Sequence, residues 1–255
     1  MRGKQAADAM RSFWDLRAKE NAAYYVDTSL DYDDPDMARF FDTGRVVVDE
    51  AFRQAPVQPA RRELAVEIGC GLGRICKDLA HEFDQVVGLD ISPSMVEQAR
   101  QLVPDDGVSF EVVDGRTLAP IADSSVDFVC TFTVFQHQRS RELIADYIAE
   151  CGRVVRPGGV IALQWNNQPA VQYRLDTLRW RLRDLRRGGR SSTQTRPEFR
   201  GTTASVAWMR AQLERAGFEV VGTAGEGTLF AWAWAWSRDA VVTQPAPALT
   251  SSSRH

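Results

Sequence analysis

Histidine and cysteine are scarce in this sequence, and neither clusters. Four cysteines stand at positions 70, 76, 130 and 151 without a CxxC pair, and three histidines stand at 81, 137 and 255. No metal site or disulfide framework is expected from that spacing. No apolar run approaches the roughly 20 residues needed to span a bilayer, so no membrane partner is expected. The first ten residues are polar and lack the apolar stretch of a secretory signal, and the composition reads as cytoplasmic. Positive charge is not in excess. Lys and Arg number 31 against 34 Asp and Glu, a formal charge of −3. No global field is available to hold a phosphate backbone, which argues against nucleic acid as a partner. Internal repeats are absent.

What is present suits an ordinary globular chain. Of 255 residues, 44% are apolar and 25% charged. That length buries a large core without staples, as one α/β domain with additions. Residues 1 to about 60 read as helices and loops: Asp8 to Tyr25, an acidic loop from Asp31 to Asp36 broken by Pro35, then an amphipathic helix from Met37 to Phe52. From Leu64 the pattern changes. Leu64–Ile68, Gln85–Asp90, Val108–Val113, Val126–Thr133 and Val160–Trp165 read as strands. Between them Arg74–Phe83, Pro93–Val103 and Arg141–Arg153 read as helices, Ser92 and Pro93 marking one start and Pro157-Gly158-Gly159 a turn. Such alternation predicts a doubly wound, mainly parallel sheet whose ligand lies beyond the carboxyl ends of the strands.

The last part departs from the alternation. Residues 166–201 are polar, and Arg174 to Arg200 holds nine arginines. This stretch either attracts an anionic substrate or is a solvated helix face and loop. Ser205–Ala216 reads as a helix ended by Gly217, followed by strands at Phe218–Gly222 and Thr228–Ser237. Period-two alternation places Trp232, Trp234 and Trp236 on one strand face, expected to pack in the core against a helix. The Pro- and Ser-rich tail, residues 241–255, is expected to be disordered.

The chemistry concentrates at Glu67-Ile68-Gly69-Cys70-Gly71-Leu72-Gly73, a strand running into a glycine turn. Gly69, Gly71 and Gly73 let a ligand approach the backbone closely. A dinucleotide loop would read GxGxxG. Here the third glycine comes one residue early and Arg74 follows, so a nicotinamide-dependent oxidoreductase is the weaker reading. Asp90 ends the second strand, 23 positions after Glu67. A carboxylate there can accept hydrogen bonds from two ribose hydroxyls, or it can serve as an acid at the next helix start.

These segments resemble the class I S-adenosylmethionine-dependent methyltransferases. Residues 67–73 resemble the family's (D/E)xGxGxG motif, and Val86–Asp90, Val112–Gly115, Ser125–Cys130 and Val155–Gly159 resemble four further motifs in the same order. The resemblance implies a Rossmann-like, seven-stranded sheet with an antiparallel last strand. S-adenosyl-L-methionine would be its cofactor, with Glu67, Gly69, Cys70, Gly71 and Gly73 at the amino-acid end and Asp90 and Ile91 at the ribose. Asp114, Gly115 and Arg116 would meet the adenine, Met95 would pack on the ring or in the core, and Thr131, Phe132 and Thr133 would contact the cofactor or shape the wall. His137 either acts as a general base or lines the cleft. Trp14, Tyr24, Gln136 and Asn166 are candidate substrate residues, Asn166 either orienting an acceptor or capping a turn. Residues 1–60 are expected to form a helical lid, residues 61–240 the methyltransferase domain, and 166–201 a substrate cap. The expected activity is methyl transfer to an oxygen or nitrogen of a small molecule by a monomer or homodimer. A non-catalytic cofactor-binding protein is the alternative.

Overall fold

A computed structural model describes residues 2–175, 178–179 and 201–238. Seven strands form one sheet: β1 (Leu64–Ile68), β2 (Gln85–Asp90), β3 (Val108–Val112), β4 (Val126–Thr131), β5 (Val155–Trp165), β6 (Phe218–Ala224) and β7 (Ala231–Ser237). Their order is β3-β2-β1-β4-β5-β7-β6. The first five are mutually parallel, and β7 runs antiparallel to both β5 and β6. This is the expected doubly wound, Rossmann-like sheet. Every residue of β4 is buried, as expected of a central parallel strand, and its one charged residue, Asp127, accepts from Glu63 N–H at 2.8 Å and Leu64 N–H at 2.9 Å.

The helices are α1 (Arg2–Val26), α2 (Met37–Val48), α3 (Arg74–Leu79), α4 (Pro93–Leu102), α5 (Arg141–Val154) and α6 (Val206–Arg215). Side-chain caps start them where the sequence signals it. Ser92 Oγ accepts from Met95 N–H at 3.2 Å with Pro93 in the first turn, and Ser205 Oγ accepts from Trp208 N–H at 3.2 Å. Gly217, at φ +91°, ends α6.

Several boundaries differ from the sequence reading, β4 ending at Thr131 rather than Thr133 and β6 running on to Ala224 rather than Gly222. The chain over Met37–Phe52 leaves α-helical geometry at Asp49 and finishes as a π turn, Asp49–Arg53. α3 stops at Leu79 and completes the distance to Phe83 in turns. The expected Pro157-Gly158-Gly159 turn lies inside β5, which begins at Val155. Its pairing with β4 shifts register between Val126 and Phe128, and Gly158 takes φ +78°. Pro157 has no N–H for the ladder, and a bulge accommodates that loss. At the other end, β7 begins at Ala231, because residues 225–230 close a turn in which Thr228 N–H donates to Gly225 O at 3.2 Å.

Two apolar clusters cover the two sheet faces. One holds α5 and α6 through Ile144, Tyr147, Ile148, Met209 and Leu213. The other holds the α2, α3 and α4 side through Phe52, Ile75, Leu79, Val96 and Phe128, and includes Trp232 and Trp234. The tryptophan face therefore packs in the core, and Trp234 Nε1 donates to Ala51 O at 3.0 Å. A third cluster joins Ala18, Ala22 and Ala23 of α1 to Phe40, Leu72 and Met95. α1 is also tied polarly. Asp15 accepts from Ser94 N–H at 2.9 Å and Ser92 Oγ at 3.1 Å, and Arg11 donates to Val113 O at 2.9 Å. Burial of Asp15 opposes its charge, but hydrogen bonds from Lys19, Ser94 and Ser92 outweigh that and hold its carboxyl below the usual range. Of the arginine-rich stretch, residues 176–177 and 180–200 lie outside the described residues, as does the 241–255 tail.

Candidate cofactor and acceptor site

The loop leaving β1 is built by glycine backbones and held by Asp90. Gly69 N–H and Cys70 N–H both donate to Leu89 O, at 2.6 and 3.0 Å, extending the parallel ladder past the strand end. Gly69 sits at φ +75° and Gly71 at φ +52°. A Cβ at Gly69 would overlap Val134 Cγ2, and one at Gly71 would lie 2.9 Å from Val26 Cγ2. Only glycine fits both the backbone region and the space. One Asp90 carboxylate oxygen accepts from Gly71 N–H at 2.9 Å and the other from Ser92 N–H at 2.8 Å. Burial pushes the Asp90 carboxyl up, and N–H groups of Ser92, Gly71 and Ile91 counter that.

Glu67 points elsewhere. Its carboxylate lies beneath the loop, accepting from Cys76 N–H at 3.0 Å and Cys76 Sγ at 2.9 Å. Burial raises its carboxyl to about 7, against the opposing pull of Cys76 and Arg74.

Above the loop lies a cavity of about 510 Å³. Its floor is Gly69, Gly71, Leu89 and Asp90. On the β2–β3 side it is apolar, with Ile91, Met95 and Val113. The N-terminal segment contributes Met10, Trp14, Tyr25, Val26 and Asp27. From α2 and the start of α3 come Thr43, Val46 and Arg74, and from the segments after β4 and before β7 come Phe132, Leu229 and Phe230. Phe132 and Phe230 stack at 6.0 Å, and Phe132 stacks on Trp232 at 5.8 Å. Val46 and Phe230 are 60% and 47% exposed, so the rim on this side is apolar.

Of the residues picked out by sequence, Gly69, Gly71, Asp90, Ile91, Met95, Trp14, Gln136 and His137 come together in the lining, as do Phe132 and Thr133. His137 meets the edge of Trp14 at 5.2 Å, with Gln136 Nε2 3.3 Å from its Nε2. Gln164, not singled out by sequence, fixes this wall. Its Oε1 accepts from Thr133 N–H at 2.7 Å and its Nε2 donates to Leu229 O at 2.8 Å. Thr133 is thereby held at φ +59°.

The others fall outside the lining. Cys70 is buried, and Gly73 faces the Phe110 ring. Asp114 is exposed and turned into its own loop, accepting from Arg116 N–H at 2.8 Å and Thr117 N–H at 2.7 Å. Arg116 pairs with Asp146 at 2.8 Å, and Gly115 packs on Ile91. Thr131 is buried with Oγ1 unpartnered. Asn166 is buried and its Oδ1 caps a turn at Gln168 N–H, 3.0 Å away. Tyr25 takes the place expected for Tyr24. The break in α1 at Asn21 (φ −166°, ψ 85°) resets the helical phase, and Tyr24 instead packs edge-on against Tyr25 and Tyr32.

Among the described residues no group of three or more His, Cys, Asp or Glu side chains could hold a metal, and no helix is long and apolar enough to cross a membrane.

Comparison with known proteins places this geometry. A methyltransferase-domain family matches residues 66–163. The 2-methyl-6-phytyl-1,4-hydroquinone methyltransferase of a Synechocystis strain is 28% identical over 185 residues, covering 69% of this chain and 57% of the relative. Other curated relatives are spanned over about half their length or less. Among solved structures, the Haloferax volcanii methyltransferase in complex with the Trm112 activator matches with a TM-score of 0.59 at 19% identity, over 85% of this chain and 97% of that one. The Synechocystis magnesium protoporphyrin IX methyltransferase with bound S-adenosylhomocysteine matches with a TM-score of 0.52 at 20% identity, over 77% and 83%. At these identities the structural likeness is one of fold.

Proposed function

We propose that the chain is a class I S-adenosylmethionine-dependent methyltransferase that methylates an oxygen or nitrogen of an apolar, aromatic small molecule. The observation that carries this reading is the convergence of Gly69, Gly71 and Asp90 on the floor of one cavity whose far wall is aromatic.

The residues fit the cofactor. Glycines without Cβ leave backbone groups open to a close ligand. Each Asp90 oxygen accepts one backbone N–H and retains lone-pair capacity for a ribose hydroxyl. Ile91, Met95 and Val113 give a flat heterocycle an apolar slot. The roles of Asp114, Gly115 and Arg116 at the adenine rest on the family resemblance. When bound, the cofactor supplies an electrophilic methyl carbon activated by its sulfonium. The chain then has to hold the acceptor atom in line and exclude water. Phe132 and Phe230 offer a stacking surface for an aromatic acceptor. His137 and Gln136, in the wall between floor and rim, are placed to accept or relay the proton that a hydroxyl acceptor loses. Residues 1–60 act in this reading as the lid, through Trp14, Tyr25 and Asp27.

The test is calorimetric titration with S-adenosylhomocysteine, followed by release of that product from S-adenosylmethionine across a panel of phenols, aromatic amines and aliphatic controls. Turnover confined to aliphatic acceptors would refute the aromatic assignment. Binding with no turnover on any acceptor would favour a non-catalytic cofactor-binding protein.

A further inference from the structure

We propose that Arg74 and Asp27 form the subsite for the amino-acid end of the cofactor, Arg74 taking the α-carboxylate and Asp27 the α-ammonium. This rests on the methyltransferase reading above and deepens it.

Arg74 opens α3 immediately after the glycine loop, yet its side chain turns inward. The residue is 6% exposed and lines the cavity. Its guanidinium is centred 5.7 Å over the Phe40 ring and 5.6 Å over the Phe132 ring. One terminal nitrogen, Nη1, donates to Thr43 Oγ1. Among the described residues no carboxylate forms an ion pair with it. A buried guanidinium has five N–H donors, and a hydroxyl and two rings leave most of them without an acceptor. Burial accordingly works against its charge, and Glu67 and Asp27 relieve that only at longer range. An anion arriving in the cavity would complete the site, and a carboxylate fits the fork-shaped donor set.

The position of the anion is set by neighbours. Gly69, Gly71 and Arg74 line the cavity together, Arg74 following directly on the glycine loop whose Gly71 N–H is held by Asp90. Asp90, Gly71 and Arg74 thus face one cavity, and in this proposal a nucleoside held at Asp90 extends its amino-acid arm past the glycine loop to Arg74. Glu67 is unavailable for the ammonium, because its carboxylate is spent on Cys76 beneath the loop. Apart from Asp90, Asp27 is the one carboxylate among the described lining residues. Its Oδ1 accepts from Ser29 N–H at 3.0 Å, which fixes its orientation at the end of α1. Arg74 and Asp27 thus present opposite charges to one cavity without closing on each other, the arrangement that a zwitterion bridges.

Affinity for three ligands tests this: S-adenosylhomocysteine, its decarboxylated analogue and 5′-methylthioadenosine, which lacks both charged groups. The wild-type protein should bind S-adenosylhomocysteine at least about tenfold more tightly than the decarboxylated analogue. Arg74→Met should remove that preference, weakening S-adenosylhomocysteine at least about tenfold while leaving 5′-methylthioadenosine within about twofold. Asp27→Asn should weaken both ammonium-bearing ligands and spare 5′-methylthioadenosine. Parallel loss of all three ligands in Arg74→Met would make Arg74 a packing residue, and unchanged S-adenosylhomocysteine affinity would assign its charge to the acceptor. Either result overturns the proposal. So does a wild-type protein that binds the decarboxylated analogue as tightly as S-adenosylhomocysteine, a measurement independent of how any variant folds. Failure of the wild type to bind all three would instead overturn the methyltransferase reading itself.

Discussion

Glu67→Gln should change the pH dependence of stability in a direction fixed by the burial of that carboxyl. Glu67 is 2% exposed, and its carboxyl is raised from 4.5 to about 7. In the unfolded chain it ionises near 4.5. Between pH 4.5 and pH 7 the unfolded state has released a proton that the folded state still holds. Stability therefore falls as pH rises through that window, by about 1.4 kcal/mol per pH unit, and levels off above pH 7. The total is about 3 kcal/mol. Glutamine keeps the shape and can offer its oxygen to Cys76 N–H, now at 3.0 Å from the carboxylate, without carrying a charge. The stability difference between variant and wild type should accordingly move in the variant's favour by up to about 3 kcal/mol between pH 5 and pH 8. Equilibrium urea unfolding of both proteins at several pH values measures it. Carboxylates held below their usual range, such as Glu63 and Glu150, titrate identically in both proteins and cancel from the difference. A difference constant to within about 0.5 kcal/mol over that range would refute the reasoning, and would mean that Glu67 is ionised at pH 5 in the folded state.

Asp90→Ala removes the acceptor for Gly71 N–H and Ser92 N–H together with the proposed ribose contact. S-adenosylhomocysteine affinity should fall at least about tenfold by calorimetry, and unchanged affinity would remove Asp90 from the cofactor site. Gly69→Ala drives a methyl group into Val134 at φ +75°. It should cost about 1–2 kcal/mol or more in thermal unfolding, only partly recovered by Val134→Ala, which relieves the overlap but not the backbone strain. Trp234→Phe loses the bond to Ala51 O and part of the ring area stacked on Trp232, and should cost about 1–3 kcal/mol. Against an acceptor found by the panel, His137→Ala should lower kcat at least about a hundredfold, with S-adenosylhomocysteine affinity kept within about threefold. Retained turnover would leave His137 as a packing partner of Trp14.

Much of the sheet was legible because its signals are local. The apolar runs of β1, β2 and β4 read as buried parallel strands, and Ser92, Pro93 and Ser205 marked helix starts that the caps realise. Gly69, Gly71 and Asp90 were legible for the same reason, each standing at a strand end in a spacing that leaves few alternatives. What escaped reading depends on tertiary placement. An arginine after a turn ordinarily marks a solvated position, and nothing local says that Phe40 and Phe132 flank Arg74. The Phe132–Phe230 stack, between residues 98 positions apart, exists because β7 lies next to β5, whose paired residues are 66 to 76 positions apart. Tyr24 and Tyr25 exchange roles because one residue, Asn21, breaks the helical phase, its side-chain oxygen accepting Tyr24 N–H at 3.1 Å.

The N-terminal segment is the part whose sequence said least and whose contacts reach furthest into the site. α1 supplies Asp15 to the start of α4 and Trp14 to His137, and the chain after its break supplies Tyr25 and Asp27 to the cavity. α2 supplies Thr43 to Arg74. A cofactor held at once by Asp90 on β2 and Asp27 beyond α1 would add a further tie between two pieces of chain already joined by Asp15 with Ser92 and Ser94, by Arg11 with Val113 O, and by apolar contacts such as Ala18, Ala22 and Leu72. By linkage, such a ligand stabilises the docked arrangement of residues 1–60 by as much as its affinity depends on them. The same segment would then serve two ends. It would shield the transferring carbon from water when the amino-acid arm is bound, and would release more readily when that arm is absent. On this argument the proposed lid responds to the charged end of the cofactor rather than to its adenosine, because the adenosine slot of Ile91, Met95 and Val113 belongs to the sheet and α4.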